Sequence, residues 1–386
     1  MPQLTLTPEQ QLLQDNARQL IRAAAPVGQL RRLRDQTPSA GLDLALWREL
    51  AQLGWAGAIF PEAYGGSELG HTELGVVLEA CGATLAATPL LSSVLLGGGA
   101  ILAAGSDAHK RELLPAIASG KLLVALAFEE RPRFAPHHVQ CSAERHGDQF
   151  RLTGHKSFVI DGHSADKLVV SARTSGQSHE RAGISLFLVD AHSPGIRLRR
   201  TALLDSHCAA TLAFEATSVP ATALLGKLDQ GADLLDRVLD RATVALCAEL
   251  LGLVSQAYEI TLEYLRTRVQ FDALIGSFQA LQHRAVDMFV EVELLRSTMI
   301  LAAIKADDES AEERKRAISI AKAQLAVGGK FVVQQAVQLH GGVGVTDEHD
   351  VGLYFKRMSV LNASYGDEEH HLTRYTSRPA FTADAG

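Results

Sequence analysis

Cysteine is scarce in this sequence, with four in 386 residues, at Cys81, Cys141, Cys208 and Cys247. Their wide separation fits neither a disulfide-stapled secreted domain nor paired metal ligands, so no metal site is expected and the thiols are expected to be reduced and mostly buried. Long runs of basic residues are also missing, and 37 basic against 44 acidic residues give a formal net charge of -7. Such a chain has no stripe of cations to track phosphates, which argues against a nucleic-acid partner.

Aromatic residues make up 5% and charged residues 21% of the chain, while apolar residues make up 47%. The core must therefore be built mainly from Leu, Ala and Val, as in helix-rich globular proteins and unlike disordered chains. A length of 386 residues exceeds one small core and predicts two or three domains.

Targeting and membrane signals are weak or missing. The first ten residues, MPQLTLTPEQ, lack a positively charged segment followed by an apolar core, so a secretory signal is not expected. We therefore expect a cytoplasmic location. The uncharged stretch at residues 80–106 is broken by Pro89 and by several glycines, so it predicts a buried helical hairpin and no membrane span.

The periodicity of apolar residues divides the chain into three predicted domains, which together indicate the α+β class. Thr7, Pro8 and Gln10 form a helix-start signature, and residues 1–121 predict an all-helical N-terminal domain. Residues 122–226 predict a β domain, either a barrel or a sandwich, because short apolar runs alternate with turn residues. Residues 227–386 return to the helical period in long segments and predict a C-terminal four-helix bundle.

The predicted strands and helices differ clearly in length. The strands are expected at residues 122–128, 150–152, 157–160, 167–172, 184–189, 196–199 and 211–214. The helices of the bundle are expected at residues 228–268, 278–305, 311–339 and 349–361.

A group of ligand-binding residue types follows the first long helix of the bundle. Arg268, Gln270 and Phe271 lie at its end, and Phe278 and Gln279 begin the next helix. Arginine pairs bidentately with phosphate and an aromatic ring stacks on a flat ligand, so the group suits a nucleotide. By itself, the same pattern also fits a helix-capping arginine beside core phenylalanines.

A second motif, residues 338–344 with the sequence Gln-Leu-His-Gly-Gly-Val-Gly, ends a later helix of the bundle. Its glycines allow a positive φ and a close approach of the backbone to a ligand, and their amides can cradle a phosphate. The alternative is a helix C-cap followed by a tight turn, for which glycine is equally suited.

In this order, the two motifs resemble those of the acyl-CoA dehydrogenase family, whose C-terminal bundle carries Arg-x-Gln-Phe-Gly and then Gln-x-His-Gly-Gly-x-Gly. Two further segments extend the resemblance over nearly the whole chain. Residues 61–66 resemble the family's Pro-Glu-x-Tyr-Gly-Gly turn, and the β domain contains the familiar Leu-Thr-Gly-His-Lys at residues 152–156. Four motifs in the family's order make a chance similarity improbable.

The resemblance implies an FAD site to which the β domain and the C-terminal bundle contribute, with adenine and pyrophosphate contacts from a neighbouring subunit. The residues that it assigns to a neighbour's FAD are Arg268, Gln270, Phe271, Phe278, Gln279, Gln338, Gly341 and Gly342. It also implies the family's reaction, the α,β-dehydrogenation of an acyl-CoA thioester, in which a carboxylate removes the α-proton and the β-hydrogen leaves as hydride to the flavin. An electron-transfer flavoprotein is the implied electron acceptor.

The catalytic base of the family is missing from both positions where the family places it. Counting on from His340, the usual glutamate falls on Tyr365, and the alternative position on the first long bundle helix falls on Ala242. Neither side chain is a carboxylate. Asp367, two residues past the first position, is the candidate base, although it is at least equally suited to cap the helix that follows.

The β domain departs from the family as well. The family's Thr-Glu-Pro-x-Ala-Gly-Ser loop is replaced by residues 128–133, Phe-Glu-Glu-Arg-Pro-Arg, which carry no hydroxyl. The family's Trp-x-Thr beside the flavin is Phe-Val-Ile at residues 158–160, and Asp367 and Glu369 replace residues that face the FAD phosphates. Since a carboxylate repels a phosphate, these changes weaken the chain's own flavin site.

The residues that reach a neighbour's flavin are thus kept, while those of the chain's own site are eroded. This asymmetry predicts the base-lacking subunit of a heteromeric (α2β2) acyl-CoA dehydrogenase, similar to the small subunits of the pimeloyl-CoA and steroid-side-chain dehydrogenases. Two alternatives stay open. One is a self-sufficient homo-oligomeric dehydrogenase or oxidase that uses Asp367, and the other is a non-catalytic scaffold without flavin.

Overall fold

The computed structural model describes residues 6–36, 41–306 and 310–377. The start of the predicted N-terminal domain and the end of the predicted C-terminal domain therefore lie outside the described residues. The chain divides into two compact units, each discontinuous in sequence. The first unit comprises residues 1–31, 71–86 and 243–386, and the second comprises residues 32–70 and 87–242. The domain boundaries after residues 121 and 226 stay predictions.

The N-terminal third of the chain is helical, as its periodicity predicts. Its helices are α1 (Pro8–Ala24), α2 (Val27–Gln36), α3 (Leu44–Gln52), α4 (His71–Thr84), α5 (Gly99–Ala104) and α6 (Asp107–Ala118). The helix-start signature of α1 is confirmed, because the Thr7 hydroxyl accepts the Gln10 N–H at 3.2 Å and the Gln10 side-chain oxygen accepts the Thr7 N–H at 2.9 Å. A π-helical segment, Leu90–Gly98, leads directly into α5.

Strands from the middle of the chain form one eight-stranded sheet in the second unit. They are β1 (Val124–Ala127), β2 (Ser142–His146), β3 (Gln149–Ile160), β4 (Lys167–Arg173), β5 (Ile184–Asp190), β6 (Ile196–Ala202), β7 (Cys208–Pro220) and β8 (Leu224–Leu225). Their order is β6-β7-β3-β2-β4-β5-β8, with β1 paired parallel to β4. The core beneath the sheet is apolar, and the rings of Phe150 and Phe187 lie 4.9 Å apart within it.

The sheet corrects two expectations from the sequence. The predicted strands at residues 150–152 and 157–160 are parts of the single strand β3, whose register against β7 shifts after Leu152 and again after Lys156. The bulges interrupt the alternation of apolar residues and divide one strand into two predicted ones. β2 is not predicted, because its sequence Ser-Ala-Glu-Arg-His is mostly polar.

The C-terminal part of the chain is helical again, so the α, β, α order and the α+β class are confirmed. Its helices are α7 (Gly231–Thr267), α8 (Gln279–Lys305), α9 (Ala311–Gln324), α10 (Lys330–His340), α11 (Val351–Ala363) and α12 (Glu368–Thr376). A π-helical segment, Leu325–Gly329, joins α9 to α10 without a break, which matches the single helix predicted at residues 311–339.

Two glycines let the backbones of α4 and α7 touch within the first unit. A Cβ atom on Gly82 would overlap the carbonyl oxygen of Glu249, and one on Gly252 would overlap the carbonyl oxygen of Glu79. Only glycine permits so close an approach. A buried ion pair ties α11 to the same place, since Nη2 of Arg357 lies 2.6 Å from Oε1 of Glu249.

None of the helices in the described ranges is both long enough and apolar enough to cross a membrane. The uncharged stretch at residues 80–106 forms the end of α4, the π-helical segment and α5, and most of its side chains are buried.

Candidate functional site

The first motif lies on a short β-hairpin after α7 whose turn has two residues. Its strands are β9 (Val269–Gln270) and β10 (Ala273–Leu274), and its turn residues Phe271 and Asp272 have φ angles of 54° and 59°. Positive φ at both turn positions is the signature of a type I′ turn, which suits the twist of the paired strands. Aspartate, which stands where the family has glycine, is among the residues that tolerate this conformation.

The side chain at the tip of this hairpin is apolar and lies in solvent. Phe271 is 90% exposed, and its backbone is held in a conformation that a bulky residue rarely adopts. Neither feature stabilises the folded chain. The geometry therefore indicates that the hairpin presents Phe271 to a ligand or to another chain.

Arg268 is fixed at the base of the hairpin by its backbone. Its N–H donates to the carbonyl of Tyr264 at 2.9 Å, and its carbonyl accepts the N–H of Ile275 at 2.9 Å. The side chain is exposed, and no hydrogen bond or ion pair within the described residues engages its guanidinium. The cation is therefore available to an anionic ligand.

The remaining residues of the first motif surround the same hairpin. Gln270 donates its side-chain amide to the carbonyl of Val269 at 2.8 Å, and the Phe278 ring lies edge-on to Phe271 with the centroids 6.4 Å apart. Gln279 is the exposed first residue of α8. Phe278 is only partly covered, so the alternative of two core phenylalanines after a capping arginine does not describe this segment.

The second motif also leaves its backbone open. Gln338, Gly341 and Gly342 are exposed, and a Cβ atom added to either of these glycines would meet nothing within 4 Å. At Gly344, by contrast, an added Cβ would lie 2.6 Å from the carbonyl oxygen of Val337. Packing therefore requires the last glycine, whereas the first two leave room for a ligand.

The structure brings the two motifs together in the first unit. The ring of His340, directly before the exposed glycines, stacks on Tyr264, in the last turn of α7 and four residues before Arg268, with the centroids 4.4 Å apart. Gly341 therefore directly follows one of the two rings in contact, and Arg268 follows the other by four residues. No periodicity in the sequence indicates this pairing, because 76 residues separate the two rings along the chain.

Neither expected base position holds a proton acceptor. Tyr365 is buried with a φ of 57°, and Ala242 is buried in α7. Asp367 is exposed and caps α12, since its Oδ1 accepts the N–H of His370 at 3.0 Å. The capping role is therefore observed, and the role of Asp367 as a base stays a prediction.

A buried lysine holds the loop that carries Tyr365. Nζ of Lys322 donates to the carbonyls of Asn362 at 2.7 Å and Gly366 at 2.9 Å, and Nε2 of His371 lies 3.0 Å from the carbonyl of Tyr365. Burial lowers the pKa of Lys322 to about 8 and also lowers the pKa of His371. The signal in the sequence is a lone lysine in the apolar second half of α9.

The loop after β1 contains two glutamates in different environments. Glu130 pairs with Lys156 at 2.6 Å, with both side chains fully buried, and it also accepts the N–H groups of Gln140 and Cys141. The Glu129 carboxyl has no such partner within the described residues, and burial raises its pKa to about 8. At neutral pH Glu129 is therefore mostly a neutral acid.

The other altered position of the β domain lies in the second bulge of β3. Phe158, where the family has tryptophan, has a φ of 50°, and the register shifts between Lys156 and Val159. Ile160 brings a hydrocarbon side chain to the place of the family's threonine. This segment has lost the hydroxyl that would bond a flavin ring.

The two sets of residues differ in how well they suit FAD. A free guanidinium, an exposed aromatic ring and an open glycine backbone are the donors and flat surfaces that a dinucleotide uses, so the first unit fits a group presented from outside the chain. The β-domain residues offer an uncharged carboxyl group and isoleucine in place of hydroxyls. They fit a flavin poorly.

The helical N-terminal part, the eight-stranded sheet and the helical C-terminal part that carries the two motifs agree with the flavin-dependent dehydrogenase that the sequence motifs predict. The acyl-CoA dehydrogenase N-terminal, middle and C-terminal domain models match residues 7–121, 134–216 and 229–378. The chain therefore belongs to the acyl-CoA dehydrogenase family. Members of this family are oxidoreductases that act on the CH–CH bond of acyl-CoA, and their cofactor is FAD.

Similar proteins cover nearly the whole chain. The acyl-CoA dehydrogenase FadE27 of Mycobacterium tuberculosis is 34% identical over 338 residues, which span 86% of this chain and 87% of FadE27. The Tcur3481-Tcur3483 steroid ACAD structure is 33% identical with a TM-score of 0.86 and covers 99% of both chains. The ChsE4-ChsE5 complex from Mycobacterium tuberculosis is 30% identical with a TM-score of 0.87, over 98% of this chain and 99% of that one.

Proposed function

We propose that this chain is the base-lacking subunit of a heteromeric acyl-CoA dehydrogenase and that it contributes its two motifs to FAD held mainly by a base-bearing partner subunit. The observation that carries the proposal is the exposed hairpin. Arg268 and Phe271 lie in solvent, Phe271 with a backbone conformation that is unfavourable for a bulky residue, and no hydrogen bond or ion pair within the described residues engages the Arg268 guanidinium. Such an arrangement is understandable if the ligand belongs to another subunit.

The chemistry of each residue agrees with this role. The guanidinium of Arg268 would make bidentate, charge-assisted hydrogen bonds to the pyrophosphate, and the ring of Phe271 would cover the flat adenine. The backbone N–H groups at Gly341 and Gly342 would add donors that need no side chain. When bound, FAD accepts a hydride from the β-carbon of the acyl thioester.

We infer that the proton acceptor comes from the partner subunit. Removal of the α-proton requires a basic group within hydrogen-bond reach of the substrate, and Tyr365 and Ala242 offer none. Asp367 is already used as the cap of α12. Taking its carboxylate away from the helix would cost about 1 kcal/mol for the lost cap, so the base role competes with the fold.

The similar structures support a heteromer. One of them is the complex of ChsE4 with ChsE5, and another combines Tcur3481 with Tcur3483. At 30% and 33% identity over almost the full length, this chain fits the subunit of such an α2β2 assembly. An electron-transfer flavoprotein is the acceptor that we propose for the electrons.

Co-expression tests the proposal. We expect the chain purified alone to hold little flavin, and the chain co-purified with a base-bearing acyl-CoA dehydrogenase subunit from the same genome to hold FAD and to oxidise acyl-CoA. Arg268→Ala in the complex should weaken FAD binding at least roughly tenfold, the value of one charge-assisted hydrogen bond. Arg316→Ala is the matched control, because it removes the same charge from an exposed position on α9.

The two alternatives predict different results. A lone chain that carries a full complement of FAD, turns over acyl-CoA and loses activity in the Asp367→Asn variant would establish the self-sufficient enzyme. A chain that binds no FAD, either alone or with a partner, would establish the scaffold. Equal FAD affinity in the Arg268→Ala and Arg316→Ala complexes would also contradict the proposal.

A further inference from the structure

Three aromatic rings meet in the first unit: Tyr264 in the last turn of α7, His340 at the end of α10, and His349 just before α11. His340 stacks on Tyr264 with the centroids 4.4 Å apart and the planes at 28°. On another side His340 meets His349, with the centroids 4.3 Å apart and the planes at 46°. Tyr264 and His349 also meet edge-on, with the centroids 6.3 Å apart, so the three rings form one cluster in which each contacts the other two.

The hydrogen bonding of His340 supports this description. The residue is 2% exposed, and its Nδ1 donates to the carbonyl of Ala336 at 2.7 Å. Its Nε2 is buried without a partner in the described part of the chain. Burial also lowers the pKa of His340, which favours the neutral ring. A buried acceptor without a partner is costly. The packing of the His340 ring therefore outweighs the hydrogen bond that its Nε2 does not make.

Each ring of the stack is connected by backbone to one of the two motifs. The carbonyl of Tyr264 accepts the N–H of Arg268, which starts the hairpin. His340 directly precedes Gly341, and a Cβ atom added to Gly344 would lie 3.0 Å from the Cβ of His340. A displacement of either ring would therefore be transmitted to the segment that follows it.

We propose that the stack of Tyr264 on His340 is a positioning device that sets the separation between the hairpin and the glycine-rich loop. Neither residue is a contact of the cofactor in this proposal. The stack acts through Arg268 on one side and through Gly341 and Gly342 on the other. The inference rests on the proposed function in so far as FAD is the ligand that both segments hold.

Substitutions that remove or keep the rings test this coupling. Tyr264→Leu and His340→Leu remove one ring each, whereas Tyr264→Phe and His340→Phe keep a ring and delete polar atoms. Tyr258→Leu is the matched control for the exchange measurement on the lone chain, because it removes the same side chain from the same helix at a ring that lies 6.3 Å from Phe289. Tyr264 is partly exposed, so its variants serve even where His340→Leu does not fold.

The first measurement needs no cofactor. Hydrogen exchange of the lone chain should show faster exchange of the amides at residues 341–345 in Tyr264→Leu, although the substitution lies on the other segment. Exchange in Tyr264→Phe and Tyr258→Leu should match that of the wild-type chain. The second measurement is FAD titration of the complex, in which Tyr264→Leu and His340→Leu should raise the dissociation constant about three- to tenfold, and the Phe variants less than twofold.

The outcomes separate this inference from the proposed function. Wild-type exchange at residues 341–345 in Tyr264→Leu would overturn the positioning role, as would an equal effect of Tyr258→Leu or a failure of the Phe variants to restore FAD affinity. A wild-type complex that binds no FAD would overturn the proposed function, and the exchange measurement would still decide whether the stack couples the two segments.

Discussion

Glu129 and Glu130 show how local surroundings decide the state of a side chain. Both follow β1, and the sequence treats them alike. Glu130 forms an ion pair with Lys156 and accepts two backbone N–H groups, whereas the carboxyl of the half-buried Glu129 has no such partner, and loss of hydration raises its pKa to about 8. Burial disfavours a carboxylate unless opposite charges or hydrogen-bond donors compensate it. Here Glu130 has both the cation and the donors, and Glu129 has neither.

The raised pKa of Glu129 predicts a dependence of stability on pH. Between the ordinary glutamate pKa of about 4.3 and the folded value of about 8, the folded chain keeps a proton that the unfolded chain has released. The stabilising contribution of Glu129 is therefore complete at low pH, and it declines as the pH rises through this window. Glu129→Gln should remove the decline, so the variant gains stability relative to wild type from pH 5 to pH 9.

Urea unfolding midpoints across this pH range measure the effect. Glu112→Gln, at an exposed position on α6 in the same unit, is the control and should follow the wild-type curve. If the curves of wild type and Glu129→Gln stay parallel, the carboxyl of Glu129 is ionised throughout and the explanation is wrong.

At the scale of helices and strands, hydrophobic periodicity predicts the long helices, but pairing with distant strands decides where some strands form. The helices at residues 231–267, 279–305 and 351–363 follow from their periodicity within a few residues. The bulges of β3 and the polar strand β2 do not, because hydrogen bonds to neighbouring strands hold these segments extended in spite of their pattern. Local preference is overruled there by pairing with distant residues.

The crossing of α4 and α7 gives a test at this scale. Alanine is the better helix former by about 1 kcal/mol, yet Gly82→Ala should destabilise the chain by about 1–3 kcal/mol, because the methyl group would overlap the Glu249 carbonyl. Gly75→Ala, in the same helix, would place its methyl 3.6 Å from Ala248, which is an ordinary contact. It should therefore be neutral or stabilising.

Thermal unfolding of both variants measures the difference. Two variants with the same melting temperature would mean that α4 and α7 move apart without cost and that the two glycines do not set their distance.

At the scale of the whole molecule, one helix, α8, carries apolar side chains that the rest of the described chain leaves in solvent. Val286, Phe289, Val290 and Leu294 lie exposed on α8, beside a groove of about 390 Å³ that Tyr258 helps to line. Patches of this kind mark contact with another chain more often than they serve the monomer. Together with the hairpin, they support assembly with the partner subunit proposed above.

Phe289→Asp should therefore weaken assembly with the partner. Phe289 is 49% exposed, so its replacement should leave the melting temperature of the lone chain nearly unchanged while the complex dissociates at higher protein concentration. Sedimentation velocity measures both species. Leu12→Asp, at a 63% exposed position on α1, is the control and should assemble like wild type. Equal assembly of the two variants would place the contact elsewhere.

Much of the candidate site is visible in the sequence, because its parts are local. The Arg-Gln-Phe segment and the glycine-rich helix end are continuous motifs, and both are found exposed in the structure. Asp367 shows the limit, since a carboxylate before a helix fits both a cap and a base until its hydrogen bond to His370 is seen. The contacts of Lys322 with Asn362 and of Tyr264 with His340 join residues distant in sequence, so the sequence does not indicate these pairings even where it marks the single residues.

The sequence by itself determined the α, β, α order and the family, and it predicts that the base carboxylate is missing, because periodicity, motif spacing and residue type are properties of neighbours along the chain. The tertiary structure alone decided which glycines leave room for a ligand, which of two adjacent glutamates pairs with a lysine and which two rings stack between the segments that precede the motifs. These depend on burial and on contacts between residues far apart in sequence, and such contacts exist only once the chain has folded.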